Sequence, residues 1–179
     1  MCTGSGIQAL VASRYANSVT AVDLNPRAIR FARFNAQLNG IDNVTVLQGD
    51  LYDVVANQIF DIILANPPFV PSPWDELRFR DGGKRGEGIL SRIIAESSKH
   101  LVENGQLHIV TDLVDVKQYQ KKLSRWWQGG GADMLVLQTA DRDDILFSVP
   151  HCHAPFSQSF EDYNTELDSW LKNFHDSEL

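Results

Sequence analysis

Cysteine, positive charge and long apolar runs are all scarce in this sequence, and each scarcity excludes something. Cys2 and Cys152 are the only cysteines, so there is no disulfide framework of the kind that staples small secreted domains. The opening residues show no basic stretch followed by an apolar segment, and no apolar run approaches membrane-spanning length. A reducing cytoplasm, away from any membrane, is the expected setting. Sixteen Lys and Arg against 23 Asp and Glu leave a net charge of −7, so the molecule as a whole does not attract nucleic acid. A local basic patch or another domain would have to do so. His151, Cys152 and His153 lack a second ligand cluster at zinc-site spacing, so no metal is expected. His100, His108 and His175 have no convergent partners and read as surface or satisfied residues. The Trp126-Trp127 pair reads as core and rim.

What is present fits one domain over residues 1–179, with 43% hydrophobic residues to bury a core. Apolar runs alternate with helical patterns, which predicts an α/β fold with a doubly wound, mostly parallel sheet. Residues 1–6 form a glycine-bearing turn, followed by a helix over 7–15 and a buried strand over 19–24. Pro26 suits the first turn of the next helix, with an apolar stripe of Ile29, Phe34 and Leu38 and a left-handed stop at Asn39-Gly40. Strands follow over 44–47 and 60–65, the latter ended by Pro67-Pro68. After a long connection over 70–88 come a helix over 89–101, a strand over 106–111 and a helix over 114–127. Gly129 to Gly131 break that helix. An antiparallel strand pair is expected over 134–139 and 145–149, and a final helix over 160–174.

Cys2-Thr3-Gly4-Ser5-Gly6 stands directly before a helix, where glycine lets backbone approach a ligand and a helix N-terminus offers N–H groups. Alone this is a weak signal. Asp23 strengthens it: it ends the second element of the pattern, 17 positions after Gly6, close to the roughly 20 expected of a ribose-binding acid. Asn25 is the better-placed helix cap, which leaves Asp23 free for ribose hydroxyls. Asp50, in Gly49-Asp50-Leu51 after the next strand, is a second candidate, for an adenine amino group, against a solvated turn aspartate as its plain reading. These features suit a nicotinamide cofactor equally, so the decision lies elsewhere.

It lies at Asn66-Pro67-Pro68-Phe69. In a doubly wound sheet this strand end borders the same crevice as the glycine turn. The prolines fix the backbone so that the carbonyls of Asn66 and Pro67 cannot pair with a neighbouring strand. With the Asn66 side-chain oxygen they make a small group of acceptors, matched to an N–H2 group, beside the apolar face of Phe69. Asn-Pro-Pro-Phe at this place resembles the motif of class I methyltransferases that modify planar nitrogens: adenine, guanine exocyclic amines or glutamine side-chain amides. The resemblance runs from Thr3-Gly4-Ser5-Gly6 through Asp23 and Asp50 almost to the end of the chain. It implies a seven-stranded sheet of order 3-2-1-4-5-7-6 with S-adenosylmethionine over the strand ends. The residues it implies at the cofactor are Thr3, Gly4, Gly6, Asp23, Asp50, Leu51 and Asn66. Those at the reaction are Asn66, Pro67 and Phe69.

Residues 76–88 are similar to the stretch after the motif in methyltransferases that modify the glutamine of peptide-release factors: a glutamate, a paired glycine, then a further glycine before the helix. Basic residues interleaved there, Arg80, Lys84 and Arg85 among them, predict a basic rim. A protein glutamine in a substrate such as a release factor is therefore the leading acceptor. An exocyclic amine of RNA or DNA stands second. A non-catalytic methyltransferase-fold partner protein is the reading from another class, and a nicotinamide dehydrogenase is remote. Related enzymes also open the cofactor site with an apolar strand just before the glycine turn. Here Met1-Cys2 stands at that turn, so the central strand is absent, and the natural polypeptide is expected to start upstream with a strand and a recognition domain. A chain that truly started at Met1 would bind its cofactor weakly and be of low stability.

Overall fold

The computed structural model describes residues 1–74, 77, 79–153 and 159–179. In chain order the elements are α1 (Ile7–Ala12), β1 (Val19–Asp23), α2 (Pro26–Leu38), β2 (Val44–Gln48), β3 (Phe60–Ala65), α3 (Gly88–Ser97), β4 (Leu101–Ile109), α4 (Tyr119–Trp126), α5 (Asp144–Ser148) and α6 (Phe160–Asp176), with short 3₁₀ turns between some of them.

β1 runs parallel to β2, from Val19 opposite Val44 to Asp23 opposite Gln48. β3 runs parallel to β4, with Ile62 opposite Gln106 and Ala65 opposite Ile109. The register slips between Phe60 and Ile62, where β4 accommodates Asn104 in a left-handed conformation (φ 62°). The two pairs are separate two-stranded sheets. What joins them is the start of the chain: the Met1 amino group donates to the Leu64 carbonyl at 2.8 Å, and the Thr3 N–H donates to Val22 O at 3.0 Å. Residues 1–3 therefore sit between β1 and β3, in the central place of an order β2-β1-(1–3)-β3-β4. This matches the first five places of the order implied by the resemblance, with the central one filled by three residues rather than a strand. Beneath them lies the main core, Val22, Leu51, Tyr52, Val55, Ile63, Ala65 and Ile93, with Met1 and Cys2 packed against it.

The helices follow local chemistry. The Asn25 side chain caps α2 by accepting from Arg27 N–H, with proline in the first turn. Gly40 ends it at φ 63°, and the Ile41 N–H reaches back to Ala36 O. The stripe that α2 buries is Ile29, Ala32 and Ala36, whereas Phe34 and Leu38, expected inside, are 57% and 70% exposed. Close approach explains the difference. A Cβ on Gly6 would lie 3.1 Å from Ala32 Cβ, so small residues, not aromatic ones, fit where α2 meets the glycine turn.

The expected strand pair over 134–139 and 145–149 does not form. Residues 134–139 carry no regular structure, with Leu135 83% and Leu137 76% exposed, and residues 144–148 are helical. The Asp143 carboxylate accepts from Leu146 N–H at 2.7 Å and caps that turn, while Phe147 meets Phe174 of α6 edge-on. A cap and an aromatic partner thus override the strand-like sequence. α6 opens with a Ser159–Asp162 capping box and buries Trp170 and Phe174 against Val70. Trp170 is fully buried (0% exposed), so Trp170→Ala is expected to lower stability by about 3–5 kcal/mol in urea unfolding. Its indole N–H has no acceptor among the described residues, so Trp170→Phe should be much milder. No helix among the described residues is long and apolar enough to cross a membrane.

Candidate active site

β3 stops because its last residue is the last that can pair. The Ala65 carbonyl accepts from Val110 N–H at 3.0 Å, and the two prolines that follow Asn66 donate nothing. Pairing resumes at Val70, whose N–H donates to Arg80 O and whose carbonyl accepts from Gly82 N–H, at 3.0 and 2.9 Å. The corner is held at both ends and is unpaired between them. The carbonyls of Asn66 and Pro67 accept no backbone hydrogen bond among the described residues. The Asn66 side chain is exposed and has no partner among them. Beneath the corner, Gly86 (φ 70°) passes so close that a Cβ there would stand 2.1 Å from Phe69 O. In front of it opens a cavity of about 190 Å³ lined by Asn66, Pro67, Phe69, Val70, Phe79 and Arg80. Phe69 is half-buried against the Val70–Trp170 cluster. Phe79, which the sequence did not single out, stands 78% exposed at the cavity.

On the other side of residues 1–3 lies the glycine turn. Gly4 takes φ 53°, and a Cβ there would meet nothing within 4 Å, so open space lies over its backbone. Asp23 is not free, contrary to the sequence reading. Its Oδ2 accepts from Gly4 N–H at 2.8 Å and its Oδ1 from Asn25 N–H at 2.9 Å, which ties the turn to the entry of α2. Each oxygen keeps a further lone pair for a ligand. The Gly6 N–H is likewise spent on Thr3 O, so α1 offers fewer open donors than the sequence suggested. Thr3 is buried at 7% exposure and contributes its backbone to the bridge rather than an open side chain.

Asp50 is paired with Arg92 of α3 at 2.8 Å, a partner the sequence reading missed because the two lie 42 residues apart. Both side chains remain partly exposed, at 40% and 45%, so a ligand group could still reach the carboxylate. Leu51, expected at the cofactor, is 6% exposed and belongs to the main core, its φ of 46° turning the side chain inward. Cys2 lies where these charges meet. Burial pushes its thiol up to about 11; the Met1 amino group opposes the rise, the carboxylates of Asp23 and Asp50 add to it, and Arg92 opposes it weakly. At pH 8 a shift from 9.0 to about 11 leaves roughly a hundredfold less thiolate. Iodoacetamide should therefore label Cys2 slowly in the folded chain and rapidly in urea, as mass spectrometry of the first tryptic peptide would show.

The predicted basic rim is partly engaged from within. Arg80 pairs with Asp81, Arg85 donates to the Ser177 carbonyl and lies 3.7 Å from Glu87, and Lys84 is exposed. Glu76 and Arg78 lie outside the described residues. α6 thus fastens the loop after the corner, with Asn173 Nδ2 donating to Lys84 O at 3.0 Å. Among the described residues no three His, Cys, Asp or Glu side chains converge as a metal site would require. His151 stacks on Phe147, and His153 contacts Glu166.

All these parts stand at the carboxyl ends of parallel strands, on either side of the place where strand order reverses, which is where open α/β sheets bind ligands. The model of the Methyltransferase small domain family matches residues 1–128. A relative from Methanocaldococcus jannaschii named for protein N5-glutamine methylation is 37% identical over 128 residues, covering 67% of this chain and 64% of its own length. The release factor glutamine methyltransferase of Thermodesulfovibrio yellowstonii is 30% identical over 122 residues, covering 61% of this chain and 44% of its own length. The chain therefore spans only 44% to 64% of these relatives. The solved structure of a ribosomal protein L11 methylase from Lactobacillus delbrueckii subsp. bulgaricus aligns with a TM-score of 0.54 and 28% identity, over 70% of this chain and 56% of that one. Since the family match runs through both halves of the crevice, the glycine turn and the Asn66 corner, this chain belongs to the Methyltransferase small domain family.

Proposed function

We propose that this chain methylates the side-chain amide nitrogen of a glutamine in a protein substrate, with S-adenosylmethionine as donor. The observation that carries the proposal is the corner itself: carbonyls at Asn66 and Pro67 and an Asn66 side chain that have no partner among the described residues, beside a cavity large enough for a side-chain amide. The residues present fit the donor. Open space lies over Gly4, Asp23 retains lone pairs that would accept from ribose hydroxyls, and the partly exposed Asp50 would accept from an adenine amino group. When bound, S-adenosylmethionine supplies an electrophilic methyl group on a sulfonium.

The chain's own residues supply orientation and charge. The Asn66 side-chain oxygen and the Pro67 carbonyl accept the two N–H hydrogens of the acceptor. An amide lone pair is conjugated with its own carbonyl, so two acceptors on N–H2 raise electron density on nitrogen. The same oxygens stabilise positive charge as it develops there. Fixing the acceptor in line can contribute up to roughly 7–11 kcal/mol. Among the described residues no carboxylate or imidazole lines the cavity, and none is required, because the methylated nitrogen can release its proton to water afterwards. Phe69 gives the acceptor's planar group an apolar wall.

The relative named for release factor glutamine methylation supports a protein acceptor. A nucleobase amine is less favoured, because the chain carries a net charge of −7. Incubation with methyl-labelled S-adenosylmethionine and either a purified peptide-release factor or total RNA separates the two. Label is expected in the release factor, as N5-methylglutamine on peptide mapping. Label in RNA alone would overturn the protein assignment.

A further inference from the structure

The proposed reaction needs one more contact, because a glutamine amide carries an oxygen as well as an N–H2 group. Once Asn66 and Pro67 accept from the nitrogen, that oxygen enters a cavity of about 190 Å³ and loses water. An unsatisfied buried carbonyl is costly. Among the described side chains lining the cavity, only Asn66 and Arg80 carry hydrogen-bond donors. With the Asn66 oxygen turned to the acceptor nitrogen, Arg80 is the group left to meet the oxygen.

Arg80 is built for that task. Its Nε donates to Asp81 Oδ1 at 2.6 Å, and the Asp81 side chain is fully buried (0% exposed). Its Nη1 donates to the His151 carbonyl at 3.2 Å. The guanidinium lies 5.2 Å from the centre of the Trp170 ring, which α6 holds in the core. Its backbone carbonyl accepts from Val70 N–H, so the residue is pinned to the chain one position beyond the motif. Nη2 has no partner among the described residues. A cation held on three sides, with one nitrogen unspent, at the wall of the acceptor cavity is a preorganised donor.

We propose that Arg80 is a specificity-determining residue: it donates to the carbonyl oxygen of the acceptor amide and so favours amides over planar amines that lack a neighbouring oxygen. This rests on the reading given under the proposed function. It also gives α6 and the 3₁₀ turn after α5, which lie beyond the family match at residues 1–128, a role in acceptor choice, because His151 and Trp170 hold the guanidinium in place.

The test is calorimetric binding of two synthetic peptides to the full chain, with S-adenosylhomocysteine present so that no methyl is transferred. One peptide carries the methyl-accepting glutamine of a release factor, and the other carries 4-aminophenylalanine in its place. Arg80→Met is expected to weaken the glutamine peptide by about 10–100-fold, the effect of losing a charge-assisted hydrogen bond, and to change the 4-aminophenylalanine peptide by less than about threefold. Arg80→Lys, which keeps a charge opposite Asp81, should fall between, and it carries the comparison should the Met variant not fold. A parallel loss for both peptides would show that Arg80 only braces the loop, and no loss for either would show that it touches nothing. Either result overturns the inference. If the wild-type chain still labels the release factor in that case, the glutamine reading survives. If the wild-type chain neither binds the glutamine peptide nor labels the release factor, both readings fall together.

Discussion

Asn66→Ala is expected to cut methyl transfer by about 10²–10³-fold, the scale seen when one preorganised polar group is removed from a charge-stabilising site. The Asn66 side chain is exposed and unpartnered, so stability should move by no more than about 0.5 kcal/mol. Affinity for S-adenosylmethionine should stay nearly intact, because Gly4 and Asp23 lie across residues 1–3 from the corner. That split between turnover and donor binding is the signature of a residue that acts on the acceptor. Single-turnover rates and donor titrations on the same preparation measure both. Unchanged turnover would remove Asn66 from the reaction.

Gly86→Ala should have the second large effect, by a different route. The new Cβ would stand 2.1 Å from the Phe69 carbonyl oxygen and 3.0 Å from Pro71 N, and backbone cannot swing aside as a side chain can. The φ of 70° adds left-handed strain for alanine. Together these are expected to lower stability by about 2–5 kcal/mol. The clash falls on the corner itself, and a displacement of about 1 Å there can cost on the order of 10²-fold in rate. Gly83→Ala is the control. Its φ is 83°, but a Cβ would meet nothing within 4 Å, so only the strain of about 1–2 kcal/mol applies and the rate should hold. Urea unfolding and initial rates of both variants check this. Equal effects would mean that contact with Phe69 does not matter.

What the sequence made legible is what short-range chemistry decides. The apolar run Phe60–Ala65 is a strand with the bounds expected, because two prolines end it whatever surrounds it. Asn25, Pro26 and Gly40 punctuate α2 as expected, because caps and left-handed stops depend on a few neighbouring residues. Longer-range partners were not legible. The capping logic at Asn25 holds, yet Asp23 is engaged by Gly4 N–H, 19 residues away. Asp50 was legible as a candidate for an adenine amino group, but not as the partner that α3 brings to Arg92. Residues 145–149 have a strand-like composition, but Asp143 and the aromatic surface of α6 make helix the better solution for most of them. The basic rim is a partial case: Lys84 is exposed, but cations counted along the chain said nothing of Asp81, His151 and Ser177, which hold Arg80 and Arg85. The missing central strand, by contrast, was legible: among the described residues no strand stands between β1 and β3. Residues 1–3 bond both β1 and β3, so the glycine turn and the corner are brought together across three residues.

The most direct measurement of the central claim is a crystal structure of the chain with S-adenosylhomocysteine and a glutamine peptide. The account places the glutamine amide nitrogen within hydrogen-bonding distance of the Asn66 side-chain oxygen and the Pro67 carbonyl, facing the cofactor sulfur held beside Gly4 and Asp23. A glutamine bound elsewhere, or an Asn66 oxygen turned away from the amide while the cofactor is in place, would contradict it.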